Sequence, residues 1–328
     1  MGRTGFLLQS SGDRSEGVGR VLSHQRVLLC AISALLLGCS PAPPSRADEA
    51  VSSGPAVIDD AGREVKLSAP ARRVVSLLPA GTETLVALGA IDWIVGRTRY
   101  DSDAHLAHLP SVGGGLDPSL EALTALSPDL VITFETAGGS PVRARLEQLG
   151  IPVFAIQTQD TSDVFRNIQK LGHLVGREAA ADSLSRDLRT RLDAVRAGVP
   201  PGSRPTVLYV AGLDPPIVAG NGTFVMELIG VAGGAAIPAL SRAAGVWPQL
   251  SFEELVRQDP DIVMLPVGRE PAQAVERLRA APGWRELSAV REGRIVTVDA
   301  DLANRPGPAI AQSAEAMRAA LAPHLERQ

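Results

Sequence analysis

Side chains able to do chemistry are few in this chain and fall in a small number of places. Tyr100, one of two tyrosines, is followed by Asp101, Asp103, His105 and His108, and there are only five histidines in all. A tyrosine or histidine there could donate to a metal, while the two aspartates with the histidines also read as a solvated loop. Four arginines, Arg97, Arg99, Arg269 and Arg305, could pair with an anionic ligand if the fold brought them together. Two glutamates, Glu121 and Glu253, stand 132 residues apart in closely similar surroundings.

Catalysis is poorly supported. Gly220-Asn221-Gly222-Thr223 is too short for a phosphate-binding loop. No Gly-x-Ser-x-Gly elbow occurs, and no histidine sits beside an evident nucleophile. No Glu/His/Asp triad for a bare metal ion is evident. An enzyme on a doubly wound fold is therefore the weaker alternative, and no cofactor is expected. The net charge of −4, without a basic run or an aromatic platform, excludes a nucleic-acid partner.

The surroundings of the glutamates point to the elements that must position them. Ser119-Leu-Glu-Ala-Leu-Thr-Ala-Leu-Ser-Pro-Asp-Leu-Val-Ile132 returns as Ser251-Phe-Glu-Glu-Leu-Val-Arg-Gln-Asp-Pro-Asp-Ile-Val-Met264. The separation is too long for a solenoid, so two similar lobes are expected. Each copy reads as a serine N-cap, a short apolar helix, a Pro-Asp stop and a buried strand. Ser251-x-x-Glu254 also has the form of a capping box.

The fold class expected is α/β: two Rossmann-like lobes with mostly parallel sheets, joined by one long inter-lobe helix, with a ligand cleft between them. Residues 57–160 make the first lobe, opening on a hairpin at 57–67 and an apolar strand at 73–78. Residues 161–197 lack proline and carry Val164, Ile168, Leu171, Leu174, Leu184, Leu188 and Leu192 at helical spacing. One helix of that length would run about 50 Å and bridge the lobes. Gly172 and Gly176 within it read as points of close packing. Residues 204–328 make the second lobe. A stiff link predicts only a small hinge motion on binding.

The N-terminus reads as an address. An apolar run from Val27 to Leu37 is too short to span a bilayer but fits a signal-peptide core. It ends Leu36-Leu37-Gly38-Cys39, which resembles a bacterial lipobox. Residues 1–39 are therefore expected to be a lipoprotein signal peptide with Cys39 the lipidated residue, and 40–56 a flexible tether. Translation is expected to start at a non-Met codon near Val18 or Val21. The other cysteine, Cys30, lies inside the apolar run, so a disulfide framework is not expected.

Arg73-Val-Val-Ser-Leu-Leu-Pro-Ala-Gly-Thr-Glu83 with Ala87-Leu-Gly89, Trp247-Pro-Gln-Leu-Ser-Phe-Glu253, and Arg305-Pro-Gly-Pro308 together resemble the substrate-binding proteins of ABC importers for cobalamin, haem and ferric siderophores. The resemblance covers about residues 57 to 325, and the second and third segments are similar to the cobalamin-binding branch. It implies an exported protein, lipid-anchored to a bacterial membrane, whose partners are an ABC permease dimer with its cytoplasmic ATPase and a small metal chelate. It also implies that Glu121 and Glu253 dock into arginine-lined pockets on the two permease halves. Two departures stand out. Cobalamin binders usually carry an aromatic-Pro-Pro segment where this chain has Asp101-Ser-Asp-Ala-His105, and they often place a tryptophan where it has Gly115.

Ligands of open α/β sheets sit beyond the carboxyl ends of the strands. The expected ligand-binding residues are therefore Ser76, Pro79, Ala80, Gly81, Thr82, Arg97, Tyr100, Gly115 and Phe134 from the first lobe. Asp214, Trp247, Arg269 and Arg305 are those of the second. Trp247, between Gly245 and Pro248, is the best single contact for a large planar chelate. Cobalamin or a related corrinoid is the expected ligand, with haem or a ferric siderophore as alternatives.

Overall fold

The structure, a computed structural model, describes residues 54–135, 139, 141–202, 204–241 and 245–325. The signal peptide with Cys39, and all but the last residues of the tether, lie outside the described residues.

A short antiparallel hairpin, β1 (Ala56–Ile58) and β2 (Glu64–Lys66), opens the described chain. Its turn is held by Asp59, which accepts from the Ala61 and Arg63 amides. The first lobe then runs β3 (Val74–Ser76), α1 (Pro79–Ala87), β4 (Ile94–Gly96), α2 (Leu120–Ala125), β5 (Leu130–Phe134), α3 (Pro141–Gln148) and β6 (Val153–Ile156). Its four strands lie in the order β4-β3-β5-β6, all parallel. Val74, Val75, Val131 and Ile132 are fully buried, as strands covered on both faces require.

The segment between the lobes is helical, but the single rod expected over 161–197 is two helices, α4 (Thr161–Leu174) and α5 (Glu178–Ala197). Gly176 takes φ +63°, a left-handed conformation that ends α4. The two helices fold back as a hairpin. Gln169 Nε2 donates to Ser185 Oγ at 3.1 Å, and the Arg189 guanidinium lies 4.0 Å from the Phe165 ring centroid. A Cβ on Gly172 would come within 2.6 Å of the Ala181 Cβ, so the glycine permits the close approach. Helical periodicity runs through both pieces because each buries an apolar stripe, and only the backbone conformation at Gly176 separates hairpin from rod.

The second lobe contains β7 (Thr206–Leu213), β8 (Pro216–Val218), α6 (Phe224–Val231), β9 (Ala235–Ala236), α7 (Phe252–Gln258) and β10 (Ile262–Val267). It continues with α8 (Pro271–Ala280), α9 (Ser288–Arg291), β11 (Ile295–Asp299), α10 (Ala300–Ala303) and α11 (Ile310–Leu325). Strands β9, β7, β10 and β11 are parallel neighbours in that order, repeating the order of the first sheet, and β8 adds an antiparallel edge on β7.

The repeated phrase is this symmetry written in sequence. Ser119 caps α2 through the Ala122 amide, and Ser251 caps α7 through the Glu254 amide. Both helices end in a non-glycine residue at positive φ, Ser127 at 45° and Asp259 at 38°. Leu123 and Leu255 fill the two cores, as do Val131 and Val263. Asp129 accepts from the Arg72 and Arg73 amides, and Asp261 from the Thr206 amide, so each ties down the entry to the neighbouring strand. Glu254 does not complete a capping box. Its carboxylate turns to Gln258 Nε2 and the Arg257 guanidinium.

One apolar cluster joins the lobes: Val74, Leu130 and Phe154 belong to the same buried core as Val207, Met264 and Met317, through residues of α4, α5, α6 and α11. Polar ties reinforce it, with Thr161 donating twice to Glu227 and Arg191 pairing in bidentate fashion with Glu315. Each sheet's other face has its own cluster.

Candidate functional site

The carboxyl ends of β3, β5 and β6 open onto a cleft whose other side is the Asn304–Gly307 loop of the second lobe. Two cavities occupy it. The first, about 400 Å³, is walled by Pro79, Thr82, Val86, Ala87 and Leu106, with Glu83, Asp101, Ser102 and Asp103 at its polar side. The second, about 340 Å³, lies among Leu78, Ala80, Phe134, Glu135, Ile156, Gln157, Thr158, Asn304 and Pro306. Pro79 and Arg305 line both.

Local structure explains this arrangement. Pro79 starts α1 at a position where its missing N–H is not needed. Ser76 is buried under the turn, its hydroxyl donating to the Leu78 carbonyl at 2.7 Å. A Cβ on Gly81 would stand 2.5 Å from that hydroxyl oxygen, so only glycine lets α1 seat so close to β3. The loop from the second lobe also packs against α1, since a Cβ on Gly307 would meet the Ala80 Cβ at 3.3 Å.

Charge in the cleft is mostly negative. Arg305 donates to Glu83 across the cleft at 3.0 Å and pairs with Asp301 at 3.0 Å on its own side. Burial pushes the Glu83 carboxyl above its ordinary pKa, against the pull of Arg305, with Asp101 and Asp301 adding to the rise. Asp101 accepts from the Thr98 amide and hydroxyl, both at 2.7 Å. Asp103 accepts from the His105 amide and ring, which hold it below the usual carboxylate range. Thus the 101–105 loop, which reads in sequence either as a source of metal donors or as a solvated loop, has its aspartates on the rim of the first cavity.

Of the expected ligand residues, Pro79, Ala80, Thr82, Phe134 and Arg305 line the two cavities, and Ser76 and Gly81 lie beneath them. Trp247 is 39% exposed and approaches the Tyr209 ring, with centroids 6.4 Å apart. The Tyr209 hydroxyl donates to Asn304 Oδ1 at 2.7 Å, so Trp247 lines neither cavity and is linked to the second only through Tyr209 and Asn304. The four arginines do not converge. Arg99 is bound by both carboxylate oxygens of Asp117, Arg97 turns onto the Thr98 carbonyl, and Arg269 is exposed away from both cavities. Asp214 sits in the exposed turn between β7 and β8, also away from them. Tyr100 is 54% exposed beside the cavity-lining Asp101. Gly115 is packed against Phe134, and a Cβ there would meet the Leu77 carbonyl oxygen at 2.3 Å and the Phe134 ring at 2.9 Å.

Glu83, Gln157, Thr158 and Pro306 were not anticipated. Gln157 and Thr158 follow β6, so the strand-end rule would have found them. Glu83 lies one turn into α1, and only the inter-lobe contact gives it a role. Among the described residues, no group of three or more His, Cys, Asp and Glu could hold a bare metal ion, and no helix is long and apolar enough to cross a membrane.

Glu121 and Glu253 are exposed in the first turns of α2 and α7. Their partners in the repeated phrase serve the fold, as caps, core or strand ties. Neither glutamate side chain makes a hydrogen bond or ion pair among the described residues.

Known proteins carry the same architecture. The family model described as periplasmic binding protein matches residues 74–302. A Bacillus subtilis ABC transporter substrate-binding lipoprotein, YvrC, uncharacterized by its own description, is 30% identical over 310 residues, covering 90% of this chain and 95% of that protein. A Halobacterium salinarum cobalamin-binding protein is 32% identical over 284 residues, 83% of this chain and 76% of the relative. The crystal structure of a periplasmic heme binding protein from Pseudomonas aeruginosa superposes with a TM-score of 0.66 at 28% identity, covering 77% of this chain and 93% of that one. Sequence and overall fold thus agree, and the chain belongs to the periplasmic binding protein family, a family of ligand binders rather than enzymes.

Proposed function

We propose that the protein is the extracytoplasmic substrate-binding lipoprotein of an ABC importer, and that it captures cobalamin or a related corrinoid and delivers it to the permease. The observation that carries the ligand assignment is the charge of the cleft. Among the described residues, Glu83, Asp101, Asp103 and Glu135 line its cavities with one lining cation, Arg305, which already holds two carboxylates, while Glu135 pairs with the buried Arg143 behind it. Such a cleft repels the carboxylates of haem or of an anionic siderophore and accepts a neutral or cationic chelate. Phe134, Pro79 and Leu106 supply apolar wall, and Trp247 adds an exposed ring nearby. The cobalamin-binding relative at 32% identity supports the same choice.

Delivery is assigned to Glu121 and Glu253. A two-fold partner needs two similar anchors related by pseudo-symmetry, and two unpaired carboxylates on matched helices meet that need. The lipid anchor is assigned to Cys39.

Haem is the second reading, favoured by the exposed phenol of Tyr100 beside the first cavity. The test is calorimetry and absorbance on residues 40–328 with cyanocobalamin, cobinamide, haemin and a ferric siderophore. Tight corrinoid binding with weak haemin binding is expected. Tight haemin binding whose iron–phenolate absorbance disappears in Tyr100→Phe would replace the corrinoid by haem.

A further inference from the structure

The floor of the cleft holds a polar group that the fold leaves unused. Beneath the second cavity, and sharing Leu78, Ala80, Ile156, Thr158 and Pro306 with it, is a recess of about 10 Å³. That is room for one water-sized group. Asn167 of α4 lines the recess and is 5% exposed. Its Nδ2 donates to Thr158 Oγ1 at 3.2 Å, but its Oδ1 has no hydrogen-bond partner among the described residues. A buried acceptor left unpaired is destabilising, and a structure keeps one where something outside the fold completes it. The position is informative: Asn167 lies on α4, whose Val164, Ile168 and Leu171 belong to the core that joins the lobes, and it lines the recess that adjoins the second cavity.

Resting on the corrinoid reading above, we propose that Asn167 is a specificity-determining residue whose Oδ1 receives the N–H of a primary carboxamide, its nitrogen entering the recess from the rim of the ligand. A carboxamide carries an N–H donor and a carbonyl acceptor, so it completes the Asn167–Thr158 pair. A carboxylate brings acceptors only and meets Oδ1 with no proton to share. The corrin ring bears such amides around its edge, whereas haem bears carboxylates there. Asn167 thus discriminates by hydrogen-bond polarity at a spot where the charged rim does not reach.

The test compares cyanocobalamin with its monocarboxylic acids, in which one peripheral amide is hydrolysed, on the parent protein and on Asn167→Leu. The leucine variant is expected to melt close to the parent, because it removes an unpaired buried acceptor together with one hydrogen bond to Thr158. It should bind cyanocobalamin roughly tenfold or more weakly. One monoacid should bind the parent more weakly than cyanocobalamin does, yet bind the leucine variant equally well. Binding by Asn167→Leu within about twofold of the parent would mean the recess holds only water, and would overturn the proposal. The monoacid series on the parent needs no variant, and equal binding of every monoacid would overturn it too. Either result leaves the corrinoid reading standing, whereas a parent protein that ignores cyanocobalamin removes both.

Discussion

Arg305 and Glu83 are 222 positions apart in the chain, yet their side chains meet at 3.0 Å across the cleft. Both are partly buried, with 19% and 34% of their side-chain surfaces exposed. Arg305 lines both cavities with Pro79, and Glu83 lines the first, so the pair stands at the border that the two cavities share. Asp301 is a second partner for the same guanidinium.

Glu83 should leave a signature in the pH dependence of stability. Its folded pKa is raised above the ordinary 4.5, chiefly by burial. Below 4.5 the carboxyl is neutral in both states and imposes no penalty. As pH rises through the raised folded pKa, the unfolded chain ionises more readily and stability is lost. Melting of the parent and of Glu83→Gln, compared from about pH 3.5 to about pH 7, should show the parent losing ground to the variant with rising pH. A parent that gains on the variant over that range would show the ion pair outweighing burial.

The strand ties should matter equally in both lobes. Asp129→Ala strips the acceptor from two backbone amides, and Asp261→Ala from the Thr206 amide and hydroxyl. Each change is expected to cost about 1–3 kcal/mol in denaturant unfolding. The two losses should add, since the sites lie in different sheets.

Gly115 should not accept a tryptophan without movement. The contact at 2.3 Å is with the backbone oxygen of Leu77, which a rotamer change cannot relieve. Gly115→Trp is expected to destabilise by about 1–3 kcal/mol and to push Phe134 into the second cavity, lowering ligand affinity. Calorimetry and thermal melting of the one variant read both effects.

Glu121→Ala with Glu253→Ala should abolish uptake by the cognate importer while leaving ligand affinity intact. Thermal stability should change by no more than about 0.5 kcal/mol per site, as for exposed side chains without partners. Lost ligand affinity would place these residues in the cleft instead.

Solution scattering should show little compaction on ligand binding. The core that joins the lobes through α4, α5, α6 and α11 would have to open for a large hinge, and packed interiors do not deform continuously.

Local patterns were enough to write down much of this molecule. Two parallel sheets follow from apolar runs such as Leu130–Phe134 and Ile262–Val267, because a strand covered on both faces has no polar alternation. The internal repeat followed from Ser119 and Ser251, Leu123 and Leu255, Asp129 and Asp261, each constrained by a neighbour close in sequence or one strand away. Pro79 and Phe134 were legible from the strand-end rule. Folding alone decided the rest. The hairpin of α4 and α5 turns on one glycine φ, which helical periodicity does not report. Arg97, Arg99 and Arg269 carry the same charge as Arg305, and only three-dimensional placement shows that Arg305 alone reaches the cleft. Glu83, Thr158 and Asn167 acquire their roles from residues far along the chain, because a cleft between lobes is a long-range object and local spacing encodes only what each side presents.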